Sequence, residues 1–306
     1  MSARAFDWRR RLVLAIPYAW LLLFFAAPFV VIMRLSVSQS VVAQPPYAPQ
    51  FDLARGFSGL MESARQFSFD NFVILLSDAL YLESYLSSVR IAFTATVIAL
   101  LIAYPMALAM SRAPQHLKPA LILLAVAPFW TSFLIRVYAW ISILRDEGLL
   151  NNALLGLGLV SEPLRLFATD TAVVIGIVYS YLPFMVLPIF NAIDKQDASL
   201  VEAARDLGAS RLTAFWTVTF PLSMQGVLAG CLLVFIPAVG EFVIPDLLGG
   251  SDTLMIGRTM WNEFFANRDW PVASAAGIFL LLALLAPFFL FQRMQARAVA
   301  RGGKAP

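Results

Sequence analysis

An all-α bundle embedded in a membrane is the fold class this sequence predicts, and three observations predict it. Of 306 residues, 60% are hydrophobic and 13% charged, with a mean hydropathy of +0.78, far from the balance of a water-soluble domain. Six apolar stretches are long enough, at about 1.5 Å of helix per residue, to cross a hydrocarbon core of roughly 30 Å. These runs are continuous, whereas strands of a membrane barrel must alternate between lipid and lumen.

The spans are expected near 12–35, 84–110, 119–141, 171–190, 222–244 and 272–291, with Leu12 to Met33 and Val272 to Leu290 the clearest. Arg9-Arg10-Arg11 precedes the first. Its apolar run is long and lacks a small-x-small processing site, so it reads as a retained anchor rather than a cleaved leader. Charge orients the bundle. The N-terminal arm, the 111–118 turn, the 191–221 loop and the tail from Gln292 together hold 13 Lys/Arg, against 6 in the three opposite loops. Basic residues stay on the cytoplasmic side, so both termini are expected inside and the number of spans even.

The loops expected outside are substantial. Residues 36–83 carry Pro45-Pro46, Pro49 and the aromatic run Phe67 to Phe72, which predicts a surface cap or short interfacial helices. Acids such as Asp52, Glu62, Asp146, Glu147, Asp246 and Asp252 outnumber bases there. Such a face attracts cations, although retention of bases inside also lowers their number outside. Asp246 and Asp252 flank Gly249-Gly250, where a sharp turn is expected. Trp261, Phe264, Phe265 and Trp270 divide between interface anchors and a docking surface.

Several chemistries are excluded. Cys231 and His116 are the sole residues of their types and fall in different regions, which is inadequate for an internal disulfide or a closed zinc site. No metal ligand set is expected. A Gly-x-Ser-x-Gly nucleophile turn and a Ser-His-Asp arrangement are absent, so an intramembrane hydrolase is disfavoured.

The 191–221 loop has organisation that its position alone does not require. Ser199 and Glu202 are spaced as a reciprocal capping box, and Gly208 can close that helix. Ser210 can cap a second short helix through Arg211, Leu212, Phe215 and Trp216 before Pro221. Exposed apolar residues beside Glu202, Arg205, Asp206 and Arg211 suit a partner groove.

At apparent membrane depth two charges stand out, since a lone charge at the bilayer centre costs ~2.5–3.5 kcal/mol on insertion scales. Glu241 lies among Pro237, Gly240, Pro245 and Asp246, where a broken helix is expected to expose carbonyls and make an acidic mouth. It is the first choice for contact with a cation, with a structural salt bridge as the alternative. Phe129, Phe133, Arg136 and Trp140 fall on one helical face. Their rings either pack in the core or line a path, and Tyr138 and Trp140 are also candidate interface anchors. Arg136 is expected in a structural ion pair, with Glu241 or an acid of a second chain.

Glu202-Ala203-Ala204, three residues, Gly208, nine residues, then Val218, Phe220 and Pro221 resembles the signature of the inner-membrane permeases of ATP-binding-cassette (ABC) importers, with Val and Phe replacing Ile and Leu. Phe129 to Trp140, Val239 to Gly250, and Trp261 to Phe265 with Arg268 to Pro271 narrow the likeness to polyamine importers. Among these the chain most resembles the first permease subunit of a putrescine transporter. The resemblance implies a six-helix type I ABC importer permease that imports putrescine or a related polyamine by alternating access. It implies a homologous second permease, two cytoplasmic ATPase subunits and a periplasmic polyamine-binding protein as partners, within the lipid bilayer of a bacterial inner membrane and without nucleic acid. Glu202, Ala203, Ala204, Arg205, Gly208, Arg211 and Phe215 would then couple to the ATPase, while Glu241, Asp246, Tyr138 and Trp140 border the substrate pathway. This chain has no Gly-x-x-x-x-Gly-Lys-Ser/Thr cradle, so no cofactor is expected in it and MgATP is expected in the partner subunits. The chain is not expected to be an enzyme by itself. The alternatives are a permease for another small solute and a membrane assembly subunit without solute contacts.

Overall fold

The computed structural model describes residues 8–50 and 65–302. Contacts group them into two compact units: one holds the described residues through Ala79 together with Met260–Ala283, and the other holds Leu80–Thr259 and the described residues from Leu284.

In the first unit, α1 (Trp8–Leu21) runs through a single π turn (Leu22–Ala26) into α2 (Ala27–Ser36). Apolar Val13–Ser36 is long enough to cross a membrane, and none of its most apolar window is buried against protein. A two-stranded antiparallel ribbon follows, β1 (Gln39–Ser40) with β2 (Tyr47–Ala48), in the register Gln39 to Ala48. This ribbon is a local addition to a chain that is otherwise mostly helical over its described residues. The Arg34 guanidinium ties it to α2 by donating to the Pro49 carbonyl (2.8 Å) and lying over the Tyr47 ring. Asn71, at the start of α3 (Asp70–Ser77), donates to the carbonyls of Ser36 and Ser38 at 2.9 and 2.7 Å. Part of the expected external cap is therefore ribbon and short helix, and the rest of that expectation, at 51–64, lies outside the described residues.

The second unit is built on α4 (Ala79–Arg112), a 34-residue helix with Pro105 inside it. Its buried face repeats small residues, Ala92, Ala95, Ala99, Ala103 and Ala107, which allow close helix approach where lipid supplies no hydrophobic drive between helices. The segment expected as a span at 119–141 is a bent pair of helices. It is α5 (Lys118–Val126), a 3₁₀ turn (Ala127–Trp130) and α6 (Phe133–Leu144), separated by extended Thr131 and Ser132. The two limbs, the second continuing through α7 (Leu149–Gly156), bend by 85°. Thr131 Oγ1 donates to the Pro128 carbonyl at 2.9 Å, the local competition with the helix ladder that hydroxyl side chains offer.

The most extensive helix packing joins α8 (Asp170–Asp194) to α11 (Phe220–Val239). Glycines make it possible. A Cβ on Gly226 would lie 2.5 Å from the Pro188 carbonyl oxygen, and one on Gly230 2.8 Å from Met185 Sδ. Their Gly-x-x-x-Gly spacing places both on one face of α11. Between these helices lie α9 (Ala198–Asp206), α10 (Arg211–Ala214) and a π turn (Phe215–Thr219), and α11 is followed by α12 (Val243–Leu248) and α13 (Ile256–Trp261). The last helix, α14 (Trp270–Gly302), carries the apolar segment Trp270–Leu285. Among the described residues four helices are long and apolar enough to cross a membrane, or five if the bent pair counts as one.

Candidate coupling surface and membrane pathway

The 195–221 segment is a pair of short helices with their ends closed by local hydrogen bonds. The cap of α9 is Asp197, whose Oδ1 accepts from the Ser199 amide at 3.0 Å. That amide holds the Asp197 carboxyl below its ordinary range. The expected Ser199–Glu202 box is thus corrected. The helix begins two residues earlier because Asp197 is already extended and carries an acceptor. At the other end the Gly208 amide bonds the Arg205 carbonyl (2.9 Å) and the Ala209 amide the Ala204 carbonyl (3.0 Å). This double closure needs a left-handed residue, and Gly208 supplies φ +92°. Ser210 caps α10 as its sequence suggests, accepting from the Thr213 amide at 3.1 Å.

The pair presents side chains outward and anchors inward. Glu202, Ala203, Arg205 and Arg211 are exposed and Ala204 is half-buried. Leu207 is 91% exposed, and Leu212 and Trp216 are 67% and 56% exposed. Phe215 turns inward instead, edge-on to Tyr104 of α4 at 5.7 Å between ring centres. The Tyr104 hydroxyl lies 2.9 Å from Ser223 Oγ on α11, and the Gln196 amide donates to the Thr219 carbonyl at 3.1 Å. Beneath the loop is a hollow of about 570 Å³ lined by Leu108, Arg112, Val201, Arg205, Arg211 and Phe215. Nearby, Lys118 and Asp194 pair at 2.6 Å, joining the start of α5 to the end of α8. Phe215, Tyr104 and Gln196 thus connect the loop to α4, to α11 and to the π turn that leads into α11.

The second group of expected site residues surrounds the break between α11 and α12. Glu241 is 8% exposed. Its Oε1 accepts from the amides of Phe242, Val243 and Ile244 at 3.2, 3.0 and 3.4 Å. Its Oε2 accepts from the Tyr181 hydroxyl on α8. The break thus turns amides, rather than the expected carbonyls, toward this acid. The carbonyls of Gly240 and Glu241 instead face Gly257, where a Cβ would collide with both.

Arg136 is not paired with Glu241, whose two oxygens are engaged by other donors. Its Nε and Nη1 are buried without a hydrogen-bond partner, and its guanidinium lies 5.5 and 5.7 Å from the ring centres of Phe129 and Phe133. Cation–π contact replaces the expected ion pair with Glu241. Asp246, half-exposed, faces Arg258 at 3.3 Å. Asp252 accepts from the Ser251 hydroxyl at 2.9 Å. Gly249 and Gly250 do not adopt left-handed backbone. They serve close approach, a Cβ on each lying 2.5 Å from the carbonyl oxygens of Pro245 and Ala168 respectively. Trp140 packs edge-on to Tyr179 at 5.5 Å, while Tyr138 is exposed.

Sequence reasoning missed Tyr181, Asp197 and Arg258. The apolar run Ile175 to Met185 holds two phenols, Tyr179 and Tyr181, whose hydroxyls need partners, and that signal marks the pair without choosing Tyr181. Considering only charged partners for Glu241 hid it.

Comparison with known proteins agrees with this architecture. The chain is 38% identical over 284 residues to the spermidine/putrescine transport system permease protein PotB of Haemophilus influenzae, covering 93% of each chain. It is 44% identical over 218 residues to the protein of the same name from Escherichia coli K12, covering 71% of this chain and 79% of that one. Among solved structures, a bacterial ABC transporter involved in import of the acidic polysaccharide alginate has a chain of the same fold. Its TM-score is 0.65 at 18% identity, over 95% of this chain and 96% of that one. The family described as binding-protein-dependent transport system inner membrane component matches residues 10–301, and the chain belongs to that family, a helical membrane permease of the type I ABC importer fold.

Proposed function

We propose that this chain is a transmembrane subunit of an ATP-driven importer that moves putrescine or a related polyamine into the cytoplasm by alternating access. The observation that carries the reading is the exposed α9–α10 pair, closed at Gly208 and linked through Phe215 and Gln196 to the long helices. Its Leu207, Leu212 and Trp216 fill a groove on an ATPase subunit, while Glu202, Arg205 and Arg211 orient it. In this reading the chain spans the bacterial inner membrane six times with both termini in the cytoplasm. A homologous second permease completes the pathway, two ATPase subunits hold MgATP, and a periplasmic binding protein delivers the polyamine. The names of the relatives at 38% and 44% identity support that substrate class.

Within the pathway Glu241 offers a carboxylate to the cation, Asp246 guides it at the mouth, and Tyr138 and Trp140 border the route. Arg136 takes a carboxylate of the second permease through the part of its guanidinium that remains reachable. Labelled-putrescine uptake by the reconstituted complex tests the reading. Glu202→Arg is expected to abolish uptake while leaving the permease pair assembled. Failure of every polyamine to compete would require another solute.

One observation favours a second reading, an assembly subunit without solute contact: both oxygens of Glu241 already accept hydrogen bonds. Glu241→Gln separates the two. On the pathway reading it lowers uptake about tenfold, the effect of losing about 1.4 kcal/mol of cation attraction; unchanged putrescine kinetics favour the assembly subunit.

A further inference from the structure

The contact between Tyr181 and Glu241 is placed where the bundle is best able to change. Below it, α8 and α11 are locked by backbone approach at Gly226 and Gly230. At its own level both helices are weakened. Pro183, two residues beyond Tyr181, and Pro237, four residues before Glu241, each lack the amide that would complete the ladder. Immediately after Pro237 the α11 ladder ends, and Glu241 bridges to α12 by receiving its first amides. One oxygen thus holds the α11–α12 break in shape, and the other holds that break to α8.

The two oxygens are not equivalent. Removing the three amides from Oε1 would leave several backbone donors without partners in a buried setting. Releasing Oε2 costs one hydrogen bond from one side chain. A cation arriving at Oε2 would replace a neutral donor by a charged one, a stronger interaction at low dielectric. Aromatic faces lead to this point: Phe184 lies 6.1 Å from Tyr181 and 5.1 Å from Phe129 between ring centres. The Phe129 ring is already occupied by the Arg136 guanidinium, so the faces that can meet an arriving ammonium are those of Phe184 and Tyr181.

We infer that Tyr181 is a latch on the pathway: its phenol holds Oε2 of Glu241, and the carboxylate becomes available to an alkylammonium group only when that bond opens. The inference rests on the reading that Glu241 faces the solute route. The exchange is of one donor for another, the phenol O–H leaving Oε2 and an ammonium N–H taking its place. Opening also removes one tie between α8 and the α11–α12 break, while Ile244 and Leu248 stay packed against Gly176 of α8, so solute entry is linked to local helix movement at this level. Tyr181 acts as a positioning residue, since it works through Glu241.

The test uses the assembled importer in proteoliposomes and measures ATP hydrolysis with and without the loaded binding protein, alongside uptake of labelled putrescine. Tyr181→Phe keeps the ring and removes the hydroxyl. It is expected to raise basal hydrolysis about three- to tenfold by populating the open arrangement, and to narrow the ratio of stimulated to basal rates. In a Glu241→Gln background the same substitution is expected to change nothing further. Unchanged basal hydrolysis, or an equal rise in both backgrounds, overturns the latch. If Tyr181→Phe does not assemble, difluorotyrosine at position 181 keeps size and ring while acidifying the phenol. Basal hydrolysis should then rise with pH in that protein alone, and its failure to do so overturns the latch. A wild-type complex that moves no polyamine, yet whose hydrolysis responds to Tyr181→Phe as expected, leaves the latch standing and removes the substrate assignment.

Discussion

The α9–α10 loop and the α11–α12 break are both built from helix ends, and they resolve the same problem in opposite ways. Each helix end leaves backbone groups without partners. In the loop, Asp197, Ser210 and the left-handed Gly208 satisfy them locally, within three residues of each end. The side chains of the loop are thereby released to face outward. In the break, the amides of Phe242, Val243 and Ile244 are satisfied by Glu241, and that carboxylate is in turn held by Tyr181, 60 residues away. The loop is a self-contained lever, while the break is conditional on a neighbouring helix.

The largest expected effect breaks the lever at its closure. Gly208→Pro forces φ to about −65° where the backbone requires +92°, and removes the amide that bonds Arg205. Uptake by the reconstituted complex is expected to fall to background while the long helices remain folded by circular dichroism. Gly208→Ala, which strains the left-handed position by roughly 1–2 kcal/mol, is expected to retain partial uptake. A Gly208→Pro complex with normal uptake would separate the loop from the transport cycle.

A smaller effect addresses the seam on which both regions depend. Gly226→Ala puts a methyl 2.5 Å from a backbone oxygen and 2.5 Å from Ala192 Cβ, neither of which can rotate away. Overpacking of this kind costs about 1–3 kcal/mol, so the melting midpoint of the purified chain in detergent is expected to drop by several degrees. An unchanged midpoint would mean that α8 and α11 approach less closely than their backbones do here.

What was legible in the sequence divides along the same comparison. The loop was readable because its determinants are local: the Glu202-Ala203-Ala204 to Gly208 spacing and Ser210 lie within ten residues of one another. Even there Ser199 was mistaken for the cap, since a Ser-x-x-Glu box and an Asp two residues earlier compete for the same helix start and sequence spacing does not rank them. The long apolar runs announced helices: α4 and α8 span 84–110 and 171–190, whereas α11 ends at Val239, short of the expected 244, where the break begins. The 85° bend was not legible, because Phe129 to Trp140 keeps helical periodicity across extended Thr131 and Ser132. The partner of Glu241 was hidden because Tyr181 and Glu241 meet through tertiary packing, and only the need of a buried phenol for an acceptor hinted at it.

Arg136 sharpens the contrast between a satisfied and an unsatisfied buried charge. Two of its nitrogens have no partner and sit where solvent does not reach, so the guanidinium contributes a desolvation cost that the ring contacts only partly offset. Arg136→Met keeps the length and can touch the same Phe129 and Phe133 rings. The isolated chain is expected to melt at the same temperature or slightly higher. If an acid of the second permease pairs with Arg136, the assembled complex loses stability in the same variant. A loss in the isolated chain instead would indicate a partner within it.

The smallest expected effect is confined to the first turn of α9. Asp197 has its carboxyl pKa lowered because the ionised form accepts from the Ser199 amide. A lowered folded-state pKa means that this contribution is fully present above the unfolded aspartate value of about 3.9 and is lost as pH falls through the folded value. Amide exchange at Ser199 in the wild type is therefore expected to lose protection only in strong acid, beyond the intrinsic slowing of exchange at low pH. Asp197→Asn keeps an acceptor without titrating, and should make protection at this amide independent of pH over that range. Asp197→Ala removes the acceptor and should expose the Ser199 amide at neutral pH, with α11 and the Glu241 break unaffected. Spread of that loss to the amides of Phe242 to Ile244 would mean the loop and the break are one cooperative unit rather than a lever and its conditional counterpart.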